Sequence, residues 1–322
     1  MPAGLWHKSL SAAHVRLCSL DGLARRAPNN LDSMAKKAQR YFNRLGLHFE
    51  RARQRLRQSG FSNFDEEPML AEFVARLVPD ASGRTAVDIG AGDGIRGSNT
   101  YALFRRGWRG VGFEGDERRA RRLARAYKNF EGVEARRALV TPSNVIELLR
   151  EQGVPDDFGV LSLDIDSYDY FVLDAILRSF RPRVVVTEIN EKIPPPVRFV
   201  VRYDANFRLQ HHFFGYSIAS LEELCARHAY ALVAVEYNNA FVIPRELLGA
   251  EPALDAATAY RRGYLERPDR RERFPRNQDM ESLHSMSPAQ AVAFLKNFFA
   301  RHEGKYDLSL AETPEPAEAA HT

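Results

Sequence analysis

The fold is decided by one stretch of the sequence, Val87-Asp88-Ile89-Gly90-Ala91-Gly92-Asp93-Gly94. Its apolar first residues predict a buried strand that ends near an acid, followed by a loop with glycine at alternate positions and then a helix. Glycine adopts positive φ angles without strain and lets the backbone approach a ligand closely. A helix that follows the loop offers unsatisfied N–H groups to the same ligand. The stretch therefore predicts a ligand site at a strand–loop–helix junction.

Short apolar runs recur along the chain after this stretch, and helical patterns separate the first five runs, counted from Thr85. This alternation indicates βαβ units and a parallel sheet that is covered on both faces. The last two runs are joined only by Tyr237-Asn238-Asn239-Ala240, which is too short for a parallel crossover and whose asparagines suit a tight turn. We therefore predict an α/β fold whose seven-stranded sheet is mostly parallel, with the last strand antiparallel. The predicted strands are Thr85–Ile89, Gly110–Phe113, Val133–Val140, Phe158–Ile165, Arg183–Ile189, Ala229–Glu236 and Phe241–Ile243.

An acid follows the second predicted strand. Glu114 lies twenty residues after Gly94, where a carboxylate can accept hydrogen bonds from both hydroxyls of a ribose. The dinucleotide fingerprint G-x-G-x-x-G/A fails, because its third glycine position is Ile95. The tighter G-x-G-x-G loop, preceded by an acid, suits a nucleoside ligand with a charged amino-acid tail and no pyrophosphate.

On these motifs the segment Arg84–Pro244 resembles the class I S-adenosylmethionine-dependent methyltransferases. The resemblance implies a Rossmann-like methyltransferase fold and S-adenosyl-L-methionine as the cofactor. It implies that Asp88 and the loop Gly90–Gly94, including Ala91, Gly92 and Asp93, hold the methionine part, and that Glu114 holds the ribose. Leu139 and Asp164 complete the expected cofactor contacts.

The next chemical signal is the pair Asp164 and Asp166 at the end of the fourth predicted strand, matched by Glu188 and Asn190 after the fifth. Residues two apart on a strand share a face, so these oxygen-bearing side chains should converge. They would form a magnesium site, or Asp164 and Asp166 would serve as a general base or hold the sulfonium region. In the structural alternative, Asp166 caps the next helix and Glu188 hydrogen-bonds locally.

Absent motifs narrow the chemistry. The fourth strand is not followed by the Pro-Pro-aromatic motif associated with methylation of nucleobase amines, and neither Cys18 nor Cys225 lies near it as a nucleophile for cytosine C5. Methylation of a hydroxyl or carboxyl group remains. Here the sequence resembles FkbM-type and related small-molecule O-methyltransferases, with Leu-Asp-Ile-Asp-Ser-Tyr in place of that family's usual Lys-Ile-Asp-x-Glu-Gly.

Two histidines offer a second possible base. His211 and His212 stand within an aromatic run that would form part of an acceptor pocket. The alternative is an ordinary structural or surface role for each imidazole. The sequence therefore leaves two proton acceptors open, an aspartate or a histidine.

Composition limits the class of protein. Of 322 residues, 46 are basic and 42 acidic, a net charge of +4 that does not indicate a nucleic-acid-binding protein. No apolar run is long enough to span a membrane, and two cysteines are too few for a disulfide framework, so a cytoplasmic location is expected. The expected partner is a small-molecule or glycan acceptor, and a homo-oligomer is left open.

The basic excess is local, with eight Lys or Arg residues between Leu31 and Gly60. This helix-patterned segment keeps open an RNA or protein methyltransferase that grips its target there. A non-catalytic scaffold that only binds the cofactor is the third alternative. We divide the chain into a mobile extension (1–30), an N-terminal helical segment (31–80), the methyltransferase domain (81–248), an irregular and helical extension (249–308) and a disordered tail (309–322).

Overall fold

The computed structural model describes residues 60–250 and 252–311. The predicted extension 1–30, the basic helix predicted at 31–58 and the chain from residue 312 onward lie outside these residues. Among the described residues, no helix combines the length and the apolar character needed to cross a bilayer.

The central sheet has seven strands, as predicted. Strand β1 (Thr85–Ile89) lies in the middle, with β2 (Arg109–Glu114) and then β3 (Val133–Arg137) on one side, all parallel. On its other side lie β4 (Val160–Leu163) and β5 (Val184–Glu188), also parallel to β1. The carboxyl ends of five strands therefore meet at one edge of the sheet, where open α/β sheets bind their ligands.

The reversed last strand is confirmed. Two more strands, β7 (Tyr230–Glu236) and β8 (Asn239–Pro244), form a hairpin, and β8 inserts antiparallel between β5 and β7. The sheet order is thus β3-β2-β1-β4-β5-β8-β7. Within the turn, Tyr237 has the positive φ angle of 54°. The tight turn is therefore confirmed, but the positive φ angle falls on Tyr237 and not on an asparagine.

Helices cover both faces of the sheet. On the strands, alternate residues enter different apolar clusters: Val87 and Leu161 belong to one cluster and Ala86 and Val160 to the other. This alternation is the period of two expected for a sheet buried on both sides. The helices are α1 (Glu66–Leu77), α2 (Tyr101–Arg105), α3 (Glu117–Tyr127), α4 (Val145–Glu151), α5 (Asp169–Leu177) and α6 (Ile218–Arg227).

The C-terminal extension contains a second sheet that the sequence analysis missed. Strand β6 (Val197–Val201) pairs antiparallel with β9 (Tyr306–Leu310), so the segment predicted as a disordered tail includes the end of a strand. The two strands pack with α9 (Pro288–Phe298) around buried Phe199 and Phe299. The pairing joins residues about a hundred positions apart, which local patterning cannot reveal. Short helices α7 (Ala256–Tyr260) and α8 (Arg270–Arg273) complete the extension.

Candidate active site

A cavity of about 450 Å³ lies at the carboxyl ends of the parallel strands. Its volume falls within the range of small-molecule and cofactor sites, about 300–1,000 Å³. The lining comes from the loops after β1, β2, β3 and β4, from the start of β8 and from the chain just before α1. The residues that bear on the chemistry are Asn63, Asp88, Gly90, Ala91, Gly92, Arg96, Ser98, Asn99, Glu114, Asp116, Arg119, Leu139, Ser162, Asp164, Asp166, Tyr168 and Asn239.

Gly90 sets the path of the loop that follows β1. Its φ angle is +87°, and a Cβ atom placed there would lie 1.6 Å from the carbonyl oxygen of Asp164. The N–H groups of Gly90 and Ala91 both donate to the carbonyl oxygen of Phe113 at 3.0 Å. Only glycine permits this close passage between β2 and β4. The backbone path therefore requires glycine at position 90, as the sequence pattern predicts.

The helix expected directly after the glycine loop begins later, at Tyr101. Instead, the Asp93 carboxylate accepts from the N–H groups of Ile95 and Arg96 and so closes a turn on itself. Gly94 lies against Leu123 of α3, where a Cβ atom would come within 2.7 Å of that side chain. Both residues shape the loop, and neither is among the described residues that line the cavity. Their expected direct contact with the cofactor is not supported by this placement.

Asp88 is buried at the base of the cavity, only 5% exposed. It accepts hydrogen bonds from the Thr100 hydroxyl at 2.6 Å and the Ser98 hydroxyl at 3.4 Å. Burial raises the pKa of Asp88 to about 6, although the two hydroxyls oppose that rise. Sequence reasoning missed both hydroxyl residues, because they lie on the loop that replaces the expected helix.

Glu114 stands at the end of β2 with both carboxylate oxygens fixed. One accepts from the N–H of Gly92 at 2.9 Å and the other from the N–H of Asp116 at 2.7 Å. Each carboxylate oxygen can accept a second hydrogen bond, so the group stays competent to receive ribose hydroxyls. The side chain thereby joins the glycine loop to the loop after β2.

Leu139 lies in the loop that follows β3, because β3 ends at Arg137 rather than at the predicted Val140. Its side chain is 62% exposed and faces the cavity. An exposed leucine on the same cavity wall as Glu114 offers an apolar surface of the type that an adenine ring covers.

Three acids meet at the ends of β4 and β5. One carboxylate oxygen each from Asp164, Asp166 and Glu188 lies within 4.8 Å of the others. The predicted convergence occurs, but the two-residue spacing of a regular strand does not produce it. Strand β4 ends at Leu163, and Asp166 has a φ angle of +55°. In this left-handed conformation, which is uncommon for residues other than glycine, Asp166 places its carboxylate near Asp164 and Glu188.

The electrostatics of the three acids differ. Enclosure by protein raises the pKa of Asp164 and of Glu188, and the neighbouring carboxylates raise both further, although the Asp164 side chain is open to the cavity. Enclosure also raises the pKa of Asp166, but the Arg119 and Lys192 cations lower it. Asp166 is thus the member with nearby positive charge to stabilise its carboxylate.

The structural alternative for Asp166 is wrong, because a different acid orders the loop before α5. Asp169 accepts from the N–H groups of Ile165 at 2.7 Å and Ser167 at 2.9 Å. Burial raises the pKa of Asp169 to about 6, against these hydrogen bonds. Asp166 is left to face the cavity.

Asn190 does not join the three acids. Its Nδ2 donates to the carbonyl oxygens of His212 and Phe214, at 2.9 and 3.0 Å, and the buried side chain serves this loop. The chain turns after β5, so the two-residue spacing from Glu188 no longer gives a common face. Asn190 therefore falls out of the predicted ligand set.

The two histidines lie apart from the cavity. His212 is buried and its Nε2 lies 3.0 Å from a carboxylate oxygen of Asp279, in the C-terminal extension. His211 is exposed, and neither imidazole is among the described residues that line the cavity. The structure therefore does not place either as a proton acceptor for a ligand there.

The hairpin asparagines reach the site that the histidines do not. Asn238 Nδ2 donates to Glu188 Oε1 at 2.7 Å, and Asn239 lines the cavity. The sequence analysis had assigned both to the turn. The register of β5 with β8, which pairs Glu188 with Asn239, brings them there.

No family model and no curated protein matches the chain. Among solved structures, it is similar to a provisionally assigned O-methyltransferase from Klebsiella pneumoniae, with 16% identity over 56% of this chain and 80% of that one and a TM-score of 0.39. A SAM-dependent methyltransferase from Aquifex aeolicus shows 15% identity, coverage of 56% and 88%, and a TM-score of 0.34. A magnesium protoporphyrin IX methyltransferase from Synechocystis, with bound SAH, shows 14% identity, coverage of 65% and 99%, and a TM-score of 0.35. The function proposed below rests on the cavity itself.

Proposed function

We propose that this chain is an S-adenosylmethionine-dependent methyltransferase that methylates a hydroxyl group of a small molecule or glycan. One observation carries the proposal. A single cavity joins a glycine loop and a ribose-competent carboxylate, Glu114, to Asp164 and Asp166, which form a cluster of three acids with Glu188 at the ends of the next strands. The first group suits a nucleoside ligand, and the second suits the deprotonation of an acceptor.

The residues around the glycine loop fit the cofactor. A Cβ atom at Gly92 would meet nothing within 4 Å, so there is room beside this backbone, whose φ angle is +59°. We assign Glu114 to the ribose hydroxyls and Leu139 to the adenine face. Asp88, through its buried hydroxyl partners, and the backbone of Gly90, Ala91 and Gly92 would surround the methionine part.

The reaction requires a proton acceptor next to the acceptor hydroxyl. When bound, S-adenosylmethionine supplies a methyl group on a positively charged sulfur. We assign the acceptance of the hydroxyl proton to Asp166, because Arg119 and Lys192 favour its carboxylate form. Asp164 and Glu188, whose pKa values burial and like charge raise, would hold the oxygen in place. No histidine is needed in this scheme.

The same three carboxylates also fit a magnesium ion. Hard oxygen ligands in one cluster are the donor set that Mg²⁺ prefers, and Asp164, Asp166 and Glu188 would supply them. An ion held there would supply Lewis-acid chemistry that favours deprotonation of the acceptor hydroxyl. Asn190 is not part of this proposed set, since its amide is committed to the backbone.

The acids after β4 are also the reason to propose an O-methyltransferase near the FkbM type. The proposal of a cytoplasmic location rests instead on the presence of only two cysteines in the sequence. The RNA or protein alternative depends on the basic segment 31–60, nearly all of which lies outside the described residues. The scaffold alternative does not account for an acidic cluster left open to the cavity.

The test is transfer of labelled methyl groups into a cell extract that is afterwards separated into small molecules, glycans, RNA and protein. We expect label in the small-molecule or glycan fraction and its loss with Asp166→Asn. Label confined to RNA or protein would replace the proposed acceptor class. Absence of label, together with undiminished S-adenosylhomocysteine binding, would favour the scaffold.

A further inference from the structure

A buried glutamate at the start of α1, Glu66, hydrogen-bonds the side-chain amide of Asn239, which lines the cavity. Glu66 is 0% exposed, and its Oε1 accepts from Nδ2 of Asn239 at 2.7 Å. Asn239 is 7% exposed and is one of the residues that line the cavity. These two residues are 173 positions apart and belong to different layers of the fold, α1 and β8.

The hydrogen bonds of Glu66 fix the polarity of that amide. Glu66 Oε2 accepts from the backbone N–H of Phe64 at 2.6 Å, so each carboxylate oxygen receives an N–H group. Asn239 must therefore turn its nitrogen to Glu66 and its oxygen away. No described residue donates a hydrogen bond to Asn239 Oδ1, and this oxygen is not a buried, unsatisfied atom.

On the basis of the proposed function, we propose that Glu66 is a positioning residue that holds the carbonyl oxygen of Asn239 toward the methyl acceptor. Asn239 joins Asp164 and Asp166 in lining the same cavity, so with its nitrogen held by Glu66 all three side chains would present hydrogen-bond acceptors there. The acceptor molecule therefore carries a second hydrogen-bond donor, a hydroxyl or an ammonium group, beside the hydroxyl that is methylated. An anionic group at this position would be repelled by the Asp164 and Asp166 carboxylates and would receive no hydrogen bond from Asn239 Oδ1.

The substitution Glu66→Gln tests the polarity without changing the shape of the side chain. Its amide group must place an –NH₂ either against the N–H of Phe64 or against Asn239. The first arrangement opposes two donors, so the second is favoured, and Asn239 then rotates to present its own –NH₂ to the cavity. The exchange variant Glu66→Gln/Asn239→Asp restores an oxygen on the cavity side, because the introduced amide at position 66 donates to the introduced carboxylate at position 239.

The experiment compares two probes that bind the cofactor site in the full-length chain. S-Adenosylhomocysteine lacks the methyl group, whereas sinefungin carries an ammonium group on the carbon that replaces the methylated sulfur and directs it to the acceptor side. By calorimetry we expect Glu66→Gln to weaken sinefungin roughly tenfold and S-adenosylhomocysteine less than about twofold, since a hydrogen bond to a charged group is lost. The exchange variant should recover sinefungin binding.

Glu67→Gln is the matched control. It lies on the same helix turn, and its Oε2 accepts from the N–H of Phe61 rather than from a cavity residue, so the ratio of the two affinities should not change. Equal weakening of both probes by Glu66→Gln, or no recovery in the exchange variant, would overturn the inference and leave Glu66 a structural residue. A wild-type chain that does not bind S-adenosylhomocysteine would instead overturn the proposed function and the inference that rests on it.

Discussion

The two walls of the cavity are built differently. The wall formed after β1 and β2 comes from a single stretch, residues 88–116, and its polar groups already hold one another: Glu114 accepts from the Gly92 and Asp116 N–H groups, and Asp88 from the Thr100 hydroxyl. The wall formed after β4 and at the start of β8 gathers Asp164, Asp166 and Asn239 from distant parts of the chain, with Glu188 of β5 beside the two aspartates. A locally encoded, internally satisfied wall suits an invariant ligand, whereas a wall assembled from several loops can vary with the acceptor.

The largest expected effect comes from disrupting a close contact between the two walls, at Gly90. In Gly90→Ala the new Cβ would overlap the Asp164 carbonyl oxygen, so we expect destabilisation by more than about 3 kcal/mol. Thermal unfolding should shift down by roughly 10 °C, with loss of cofactor binding. In the control Gly92→Ala the Cβ meets no neighbour and only the positive φ angle costs free energy, about 1–2 kcal/mol. Equal shifts in the two variants would contradict the close contact.

A large effect confined to one wall is expected from Asp166→Asn. Turnover should fall at least about a hundredfold, the size typical of losing a general base, while S-adenosylhomocysteine affinity should stay within about twofold. If the magnesium proposal holds, EDTA should stop the wild-type reaction and Mg²⁺ should restore it. An EDTA-insensitive enzyme with an unimpaired Asp166→Asn variant would remove both roles from these acids.

The substitution Glu114→Gln tests the wall formed after β1 and β2. One oxygen that binds a backbone N–H becomes a donor, and the charge that would receive the ribose hydroxyls is lost. We expect cofactor affinity to fall by about 1–3 kcal/mol, roughly tenfold to a hundredfold, with little change in turnover at saturating cofactor. The measurement is a calorimetric titration, and unchanged affinity would withdraw the ribose assignment.

A smaller effect should appear in the pH dependence of stability. The raised pKa of Asp164 means that the folded chain holds this proton to a higher pH than the unfolded chain does. The stability that it contributes is complete below the ordinary aspartate pKa, about 3.9, and is lost as pH rises through the folded value. In EDTA, Asp164→Asn should therefore raise the melting temperature by a few degrees at pH 9 and leave it almost unchanged at pH 4. The reverse order would show that Asp164 is stabilised as a carboxylate.

The same contrast between the walls explains what the sequence could predict. The glycine loop, Glu114 and the seven strands follow from local patterns, and the short turn at residues 237–240 correctly predicts the reversed strand. The acids after β4 and β5 were found because strand ends share an edge of the sheet. Spacing places Asn190 with Glu188, but the chain turns after β5 and the amide binds the loop carbonyl oxygens instead. The aromatic run around His211 and His212 predicts an acceptor pocket, whereas His212 pairs with Asp279 and neither imidazole lines the cavity.

Contacts between distant residues could not be read in the same way. The Glu66–Asn239 hydrogen bond depends on α1 packing beside the β7–β8 hairpin, and the pairing of β6 with β9 spans about a hundred residues. The short loop from Ile95 to Thr100 contains Gly, Ser, Asn and Thr, which are poor helix formers. Asp93 also closes a turn there, so the helix begins only at Tyr101.

The most direct test of the central claim is the choice of ligand by the wild-type chain. Calorimetry measures which nucleoside ligand the full-length protein binds, with S-adenosylhomocysteine and NADH titrated separately. We predict one saturable site for S-adenosylhomocysteine that S-adenosylmethionine competes for, and no detectable binding of NADH. Preferential binding of NADH, or no binding of S-adenosylhomocysteine, would contradict the assignment of this cavity as a methyltransferase site.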